Sequence, residues 1–199
     1  MHTIKQRRLF TKREYNILDN KLHYNTSYIG GESEGIITFE NLSKEKTTFK
    51  SKNSIILLVS VLLFGLAGIS FLFRNDKDVD PFMWIGWTVV ATIILTVHIV
   101  MSEVSWKIKT FDKGYIYIFK KKPDENSVEN FISTLFEERD AYLRKTYLSL
   151  DSNLSYENQL NDLKWLRNIE AISKEEFDKY YSDLKLLYSP QKGTIGFER

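Results

Sequence analysis

Two uninterrupted apolar segments set in the middle of a polar chain predict a membrane protein of mixed α+β class. Short β-prone runs on both sides of those segments predict a small antiparallel β-barrel or strongly bent sheet. One long amphipathic pattern follows it and predicts a C-terminal helix that caps the sheet. A shorter helical hairpin comes last.

The first apolar segment, residues 54–73, reads SIILLVSVLLFGLAGISFLF, twenty residues without a charge. At the α-helical rise this length spans about 30 Å, the thickness of a bilayer core. Fourteen of the twenty are Leu, Ile, Val or Phe, each of which favours insertion. The second, residues 81–101, reads PFMWIGWTVVATIILTVHIVM and also lacks formal charge. Its Val, Ile and Thr suit a strand, but its length selects a spanning helix. Fifty-three mostly polar residues precede the first segment, a layout that does not fit a signal peptide.

Orientation follows the flanking cations. Lys44, Lys46, Lys50 and Lys52 precede the first span; Lys107, Lys109, Lys113, Lys120, Lys121 and Lys122 follow the second. The intervening loop carries only Arg74 and Lys77 against three aspartates. The expected topology is a multi-pass protein of the cytoplasmic (inner) membrane, with the 74–80 loop outside and both termini in the cytoplasm. Phe71, Phe73, Phe82, Trp84 and Trp87 mark the outer interface and Trp106 the inner one. The sequons at Asn25, Asn41 and Asn153 then face the cytoplasm and stay unglycosylated. Gly65, Ala67, Gly68 and Gly86 are small enough to let the two spans approach closely. His98 is the ionisable residue within the spans. Its position near the inner boundary favours contact with headgroups or a serine over an ion role. Thr88, Thr92 and Thr96 form a short polar line.

Ahead of the spans (1–53), the runs 13–18, 21–29 and 35–42 read as strands, with 47–52 as a fourth. Asp19-Asn20 and Gly30-Gly31-Glu32 are turn signals between them. After the spans (102–150), residues 104–111 alternate, with Val104, Trp106 and Ile108 on one face. Asp112-Lys113-Gly114 then turns the chain into 114–121, whose two apolar faces predict cover on both sides. Val128, Phe131, Ile132, Leu135, Phe136, Tyr142, Leu143, Tyr147 and Leu150 follow helical spacing from Ser127, interrupted by Arg139. A two-stranded hairpin alone is marginal in water. The strands on either side of the spans are therefore expected to build one cytoplasmic domain, with the transmembrane pair inserted in its middle.

This arrangement over residues 9–150 resembles the pleckstrin-homology-like fold, which in bacterial membrane proteins often accompanies a transmembrane helix pair. The resemblance implies a binding domain. Lipid-binding members of that fold carry clustered basic residues in the first strand connection. Here that connection reads as Asp19-Asn20, which is not basic, so inositol-lipid binding is not implied.

Residues 151–188 form the helical hairpin, with 189–199 as a tail. Ser173 and Glu176 make a capping box at the second helix. Ile172, Ser173, Glu176 and Phe177 resemble the SHOCT module, although its usual turn glycine is absent from 168–171. That resemblance implies interaction or self-assembly, through Leu160, Leu163, Leu166, Phe177 and Leu184.

The chain has 199 residues, a net charge of +2 and no cysteine. The charge does not point to nucleic acid, and the composition excludes disulfides and thiolate chemistry. Neither phosphate-loop pattern occurs. Gly30-Gly31 is read as a hairpin turn and not as an anion nest. The three histidines, His2, His23 and His98, are scattered, and the Glu137-Glu138 and Glu175-Glu176 pairs read as solvated faces. No catalytic, cofactor or metal site is expected. Lys120, Lys121 and Lys122 are candidate contacts to lipid headgroups. The expectation is a non-enzymatic, membrane-anchored binding or scaffold protein whose partners are membrane lipid and either its own copies or another protein. The alternative is an oligomeric membrane effector, a pore-forming or transport subunit.

Overall fold

The computed structural model describes residues 2–52, 54–76 and 80–189. Lys77 and Asp78 of the expected external loop, and the tail from 190 onward, lie outside the described residues. Within them the chain is mixed α+β: seven strands in two antiparallel sheets, and five α-helices. The sheets do not close into a barrel. It divides into two compact units, residues 1–47 with 106–199, and residues 48–105.

In the first unit, β1 (His2–Arg8), β2 (Thr11–Leu18), β3 (Lys21–Tyr28) and β4 (Gly31–Thr38) form an antiparallel meander in sequence order. Period-two alternation places Ile4, Tyr15, Ile17 and Leu22 on its buried face. The strand β1 has no counterpart in the sequence reading, because HTIKQRR offers a single apolar residue. A 3-10 turn, Phe39–Asn41, leads to β5 (Leu42–Ser51), which joins β6 (Glu103–Thr110) and β7 (Tyr115–Phe119) in a three-stranded sheet of order β5-β6-β7. On β7, Ile116, Ile118 and Phe119 are buried and Tyr115 is exposed, so its start lacks the two-sided cover expected of it.

The sheets meet through side chains where a barrel would use a ladder. Gln6, 2% exposed, acts as a backbone surrogate: its Nε2 donates to the Phe119 carbonyl at 3.0 Å and its Oε1 accepts from the Phe119 N–H at 2.9 Å. Arg13 Nη1 donates to the Tyr117 carbonyl at 3.0 Å and its guanidinium stacks over the Phe119 ring. The hydroxyl of Tyr15 donates to the same Tyr117 carbonyl.

Helix α3 (Glu125–Tyr147) starts at Asp124, whose carboxylate caps the Ser127 N–H at 2.8 Å. Val128, Phe131, Ile132 and Leu135 complete the first core with Leu22, Phe39, Leu42, Ile108, Ile116 and Ile118. Trp106 packs against this core and holds Lys46 and Lys120 over its ring; it is a domain residue as well as a membrane-proximal one in sequence.

Helices α4 (Tyr156–Asn168) and α5 (Lys174–Leu187) pack on the far end of α3. The capping box is present, with Ser173 Oγ accepting from the Glu176 N–H at 3.1 Å and the Ser173 N–H donating to Glu176 at 2.8 Å. Leu143, Leu163, Leu166, Ile169, Ile172 and Leu184 form a second core. Arg139, an interruption in the sequence pattern, is fully buried between the two cores. Burial lowers the pKa of its guanidinium, and Asp140 opposes that shift. Arg139 Nε donates to the Leu42 carbonyl at 2.7 Å, Nη2 to that of Ile169 at 3.1 Å and Nη1 to Asp140 at 2.7 Å.

The second unit contains α1 (Ser54–Leu72) and α2 (Met83–Met101), both long and apolar enough to cross a membrane. In topology they form the connection between β5 and β6, neighbours in one sheet. They pack as an antiparallel pair, with Ser60 beside Ala91 and Phe71 beside Trp84. The close approach uses Ser60, Ala67 and Ala91, all buried. The expectation that glycines line it is corrected: a Cβ built at Gly65, Gly68 or Gly86 meets nothing within 4 Å. Most remaining side chains of both helices are exposed, a continuous apolar surface that water does not cover favourably.

Candidate functional site

The meander determines which turns share an end of the sheet. Strands β1 and β3 run toward one end, and β2 and β4 run back from it, as the pairings Arg8–Thr11, Lys12–Ser27 and Tyr28–Gly31 show. The β1–β2 and β3–β4 turns therefore lie side by side, and Asp19-Asn20 lies at the opposite end. Gly30 takes φ +95° and Leu9 φ +47° to close the two turns.

Each turn presents apolar side chains to solvent. Phe10 and Ile29 are 70% and 72% exposed, and Leu9 and Tyr28 are each 51% exposed. Four such residues at one end of a sheet are a surface feature that folding alone does not require.

Cations surround them. Lys5, Arg7, Arg8, Lys12 and Arg13 all lie in the β1–β2 hairpin. Arg7 and Lys12 are direct cross-strand partners, which places like charges opposite one another on the outer face, an arrangement that costs stability. Among the described residues neither has an acidic partner. Lys5 pairs with Glu14 at 3.3 Å. Arg7, Lys12, Asn25, Ser27 and Glu32 line a shallow depression of about 460 Å³; Glu32 there already accepts from Asn25 Nδ2 at 2.6 Å. The arrangement suits an extended anionic surface with an apolar layer beneath it.

This also revises the reading of the first strand connection. Because β1 exists, that connection is Leu9-Phe10 within a basic hairpin, and not Asp19-Asn20. The missed signal was Leu9-Phe10 enclosed by Arg7, Arg8, Lys12 and Arg13: an apolar pair at the centre of a basic run.

The residues singled out from sequence are distributed as follows. Lys120 is half-buried, 3.6 Å from Glu125 and over the Trp106 ring, so it is held within the domain, whereas Lys121 and Lys122 are exposed. Leu163, Leu166 and Leu184 are buried in the second core, with Leu160 and Phe177 partly buried around it. The apolar groups that this helical pair leaves in solvent are Leu154, Leu186 and Leu187, 52%, 73% and 43% exposed. His98 Nδ1 is buried without a hydrogen-bond partner, so the expected serine contact is not made. Thr88, Thr92 and Thr96 each donate at 2.8 Å to the carbonyl four residues earlier, which turns their hydroxyl protons into their own helix. Among the described residues, no group of three or more His, Asp or Glu is arranged to hold a metal.

No protein-family model, curated protein or solved structure matches this chain.

Proposed function

We propose that this chain is a membrane-anchored, non-enzymatic scaffold of the cytoplasmic membrane. In this reading both termini lie in the cytoplasm, supported by the lysines that flank the two spans, and the domain of β1–β7 and α3 is pleckstrin-homology-like. The observation that carries the reading is the end of the four-stranded sheet where Leu9, Phe10, Tyr28 and Ile29 stand exposed beside Arg7, Arg8 and Lys12. Such a tip fits an anionic bilayer surface: each Lys or Arg near anionic lipid contributes about 1 kcal/mol, and the apolar pairs enter the interfacial layer. The domain is tethered to the bilayer, so this contact orients it more than it recruits it. The C-terminal helices resemble SHOCT modules and supply the assembly surface, through Leu154, Leu186 and Leu187 together with the partly exposed Leu160 and Phe177.

The absence of native cysteine makes the test direct. A nitroxide placed on Phe10→Cys in the full chain is examined by power-saturation EPR in nanodiscs. In phosphatidylcholine containing phosphatidylglycerol, the label gains the oxygen accessibility of the bilayer interface. In phosphatidylcholine alone, or with Arg7→Glu and Lys12→Glu added, it remains in water. A label that stays aqueous in every lipid sinks the surface-contact reading.

A further inference from the structure

A second part of the same domain has no role in that contact. The inner face of the four-stranded sheet is only partly covered by the first core. Cross-strand register aligns Tyr15, Tyr24 and Gly35 in one row and Arg13, Thr26 and Ser33 in the next. Opposite them stands the β6–β7 turn with Thr110, Asp112, Tyr115 and Tyr117. The cleft between has a volume of about 420 Å³, within the range of small-molecule sites.

Two glycines shape it. A Cβ at Gly35 would lie 2.5 Å from the Tyr24 hydroxyl and 2.6 Å from its ring, so only glycine lets that ring lie across β4. A Cβ at Gly114 would lie 2.8 Å from Thr110 Oγ1, so glycine also makes room for that hydroxyl.

The polar groups of the cleft divide into engaged and unengaged sets. Tyr15 and Arg13 are spent on the Tyr117 carbonyl. Thr110 is 2% exposed and its hydroxyl has no hydrogen-bond partner. Buried hydroxyls are ordinarily satisfied, so the Thr110 hydroxyl has an open place for a ligand atom or a water. No side-chain hydrogen bond engages Tyr24, Thr26, Ser33, Asp112 or Tyr115 among the described residues.

The chemistry of the unengaged set selects the ligand. Hydroxyls donate and accept, which matches a ligand whose own groups do both. A carboxylate such as that of Asp112 can accept from two adjacent hydroxyls of a ligand. The guanidinium of Arg13 is turned to the Tyr117 carbonyl and the Phe119 ring and keeps its charge, so Arg13 and Asp112, the charged residues of the lining, balance and favour a neutral ligand. The tyrosine rings provide flat walls for the C–H face of a saturated ring, with one face of Tyr115 already holding the Lys107 ammonium 3.6 Å from its centroid. A peptide strand is disfavoured, because Gln6, Arg13 and Tyr15 already occupy the outer edge of β7.

We infer that the cleft between β2–β4 and the β6–β7 turn binds a neutral glycosyl group of one or two rings, either a free sugar or the headgroup of a glycolipid. The inference is independent of the tip contact, which uses other residues.

The test uses the full chain in phosphocholine micelles and nanodiscs, since maltoside and glucoside detergents carry the ligand chemistry themselves. Maltose and methyl glucoside are probed by saturation-transfer NMR with irradiation of the aromatic protons. Glucosyl diacylglycerol is probed in nanodiscs by hydrogen exchange at residues 115–117. The expected result is transfer to the sugar ring protons, with affinity reduced roughly tenfold in Thr110→Val and in Tyr115→Leu, about the loss of one net hydrogen bond or one stacking wall. Tyr115 is exposed, so its variant keeps the fold if Thr110→Val does not. A response to free sugars assigns a soluble ligand; a response confined to the glycolipid assigns a headgroup. No response from either source overturns the inference, as do unchanged binding in both variants, displacement by inorganic phosphate, and occupation of the cleft by a peptide in place of the sugar.

Discussion

The guanidinium of Arg139 reaches the carbonyl of Ile169, thirty residues away, at 3.1 Å from a site with no solvent exposure. Ile169 is the C-cap of α4, so the bond grips the turn between α4 and α5. Two further cations hold the same turn: Lys44 Nζ donates to the Glu170 carbonyl at 2.8 Å and Arg144 Nε to that of Ala171 at 2.9 Å. Glu170 sits at φ +59°, so its carbonyl and those of its neighbours point toward the cations. The C-terminal helices are thus built into the domain by carbonyl–cation bonds as well as by the second core.

Replacing Arg139 with Met should therefore do two things. Global stability should fall by about 1–3 kcal/mol, the cost of leaving the buried Leu42 and Ile169 carbonyls without this donor, while Asp140 keeps its ion pair with Lys44. Hydrogen exchange should also rise first in α4 and α5. Unchanged protection of those helices would show that the second core alone holds them.

Gln6 offers a test of how the two sheets are joined. In Gln6→Glu the amide donor to the Phe119 and Lys122 carbonyls is lost, and a second acceptor faces them. A destabilisation of about 2–3 kcal/mol is expected at neutral pH. Thermal melts of the detergent-solubilised chain measure it, and a neutral result would mean that water replaces the amide.

The helix pair distinguishes small residues that pack from small residues that do not. Ala91→Leu places a large side chain where Ala91 has no exposure and its carbonyl accepts from Ser60 Oγ at 3.2 Å. Overpacking should cost about 1–3 kcal/mol. Gly86→Leu enters open space and should leave the pair intact. Resistance to proteolysis in detergent compares the two, and equal sensitivity would mean that the Ser60–Ala91 contact does not hold the pair.

Topology is read with single cysteines, because none compete. Asp76→Cys in intact cells should react with a membrane-impermeant maleimide from outside, and Glu157→Cys only after permeabilisation. Labelling of both from outside would overturn the assignment of the termini to the cytoplasm.

Acid should weaken the start of α3 in a definite direction. The Asp124 carboxyl is held below its ordinary value of 3.8 by hydrogen bonds from the Ser127 hydroxyl and then the Ser127 N–H. A group with a lowered folded pKa contributes its full stabilisation above the unfolded value and loses it as pH falls through the folded one. The melting difference between wild type and Asp124→Ala should hold steady above pH 3.8 and shrink below it. A difference independent of pH in that range would mean that the neutral acid caps as well as the carboxylate.

Much of this architecture was legible in the residues. The length and apolar content of 54–72 and 83–101 specify two helices whatever surrounds them, because nineteen uncharged, mostly apolar residues have few other stable forms. The capping box at Ser173 and the amphipathic period of α3 are likewise local, set by contacts within one turn or one helix face. The alternation of 104–111 identified the strand β6, with Trp106 and Ile108 on the first core, but Val104 of the same expected face is exposed and Ser105 is buried.

What only the tertiary structure decided depends on partners far apart in sequence. A strand with one apolar residue, β1, exists because Tyr15 and Phe119 give Ile4 and Gln6 something to bury against and bond. Arg139 breaks its helix's apolar pattern yet is fully buried, the most deeply buried charge among the described residues, because three oxygens from separate elements converge on it. Glycine composition could not identify the close approach of α1 and α2, since which face of a helix meets its neighbour is set by the pair and not by either helix. The paired tips became a surface only when the meander brought Phe10 beside Ile29. Local periodicity reports what a segment can form; which of its groups end unpaired, and so free to meet another molecule, is settled by long-range packing.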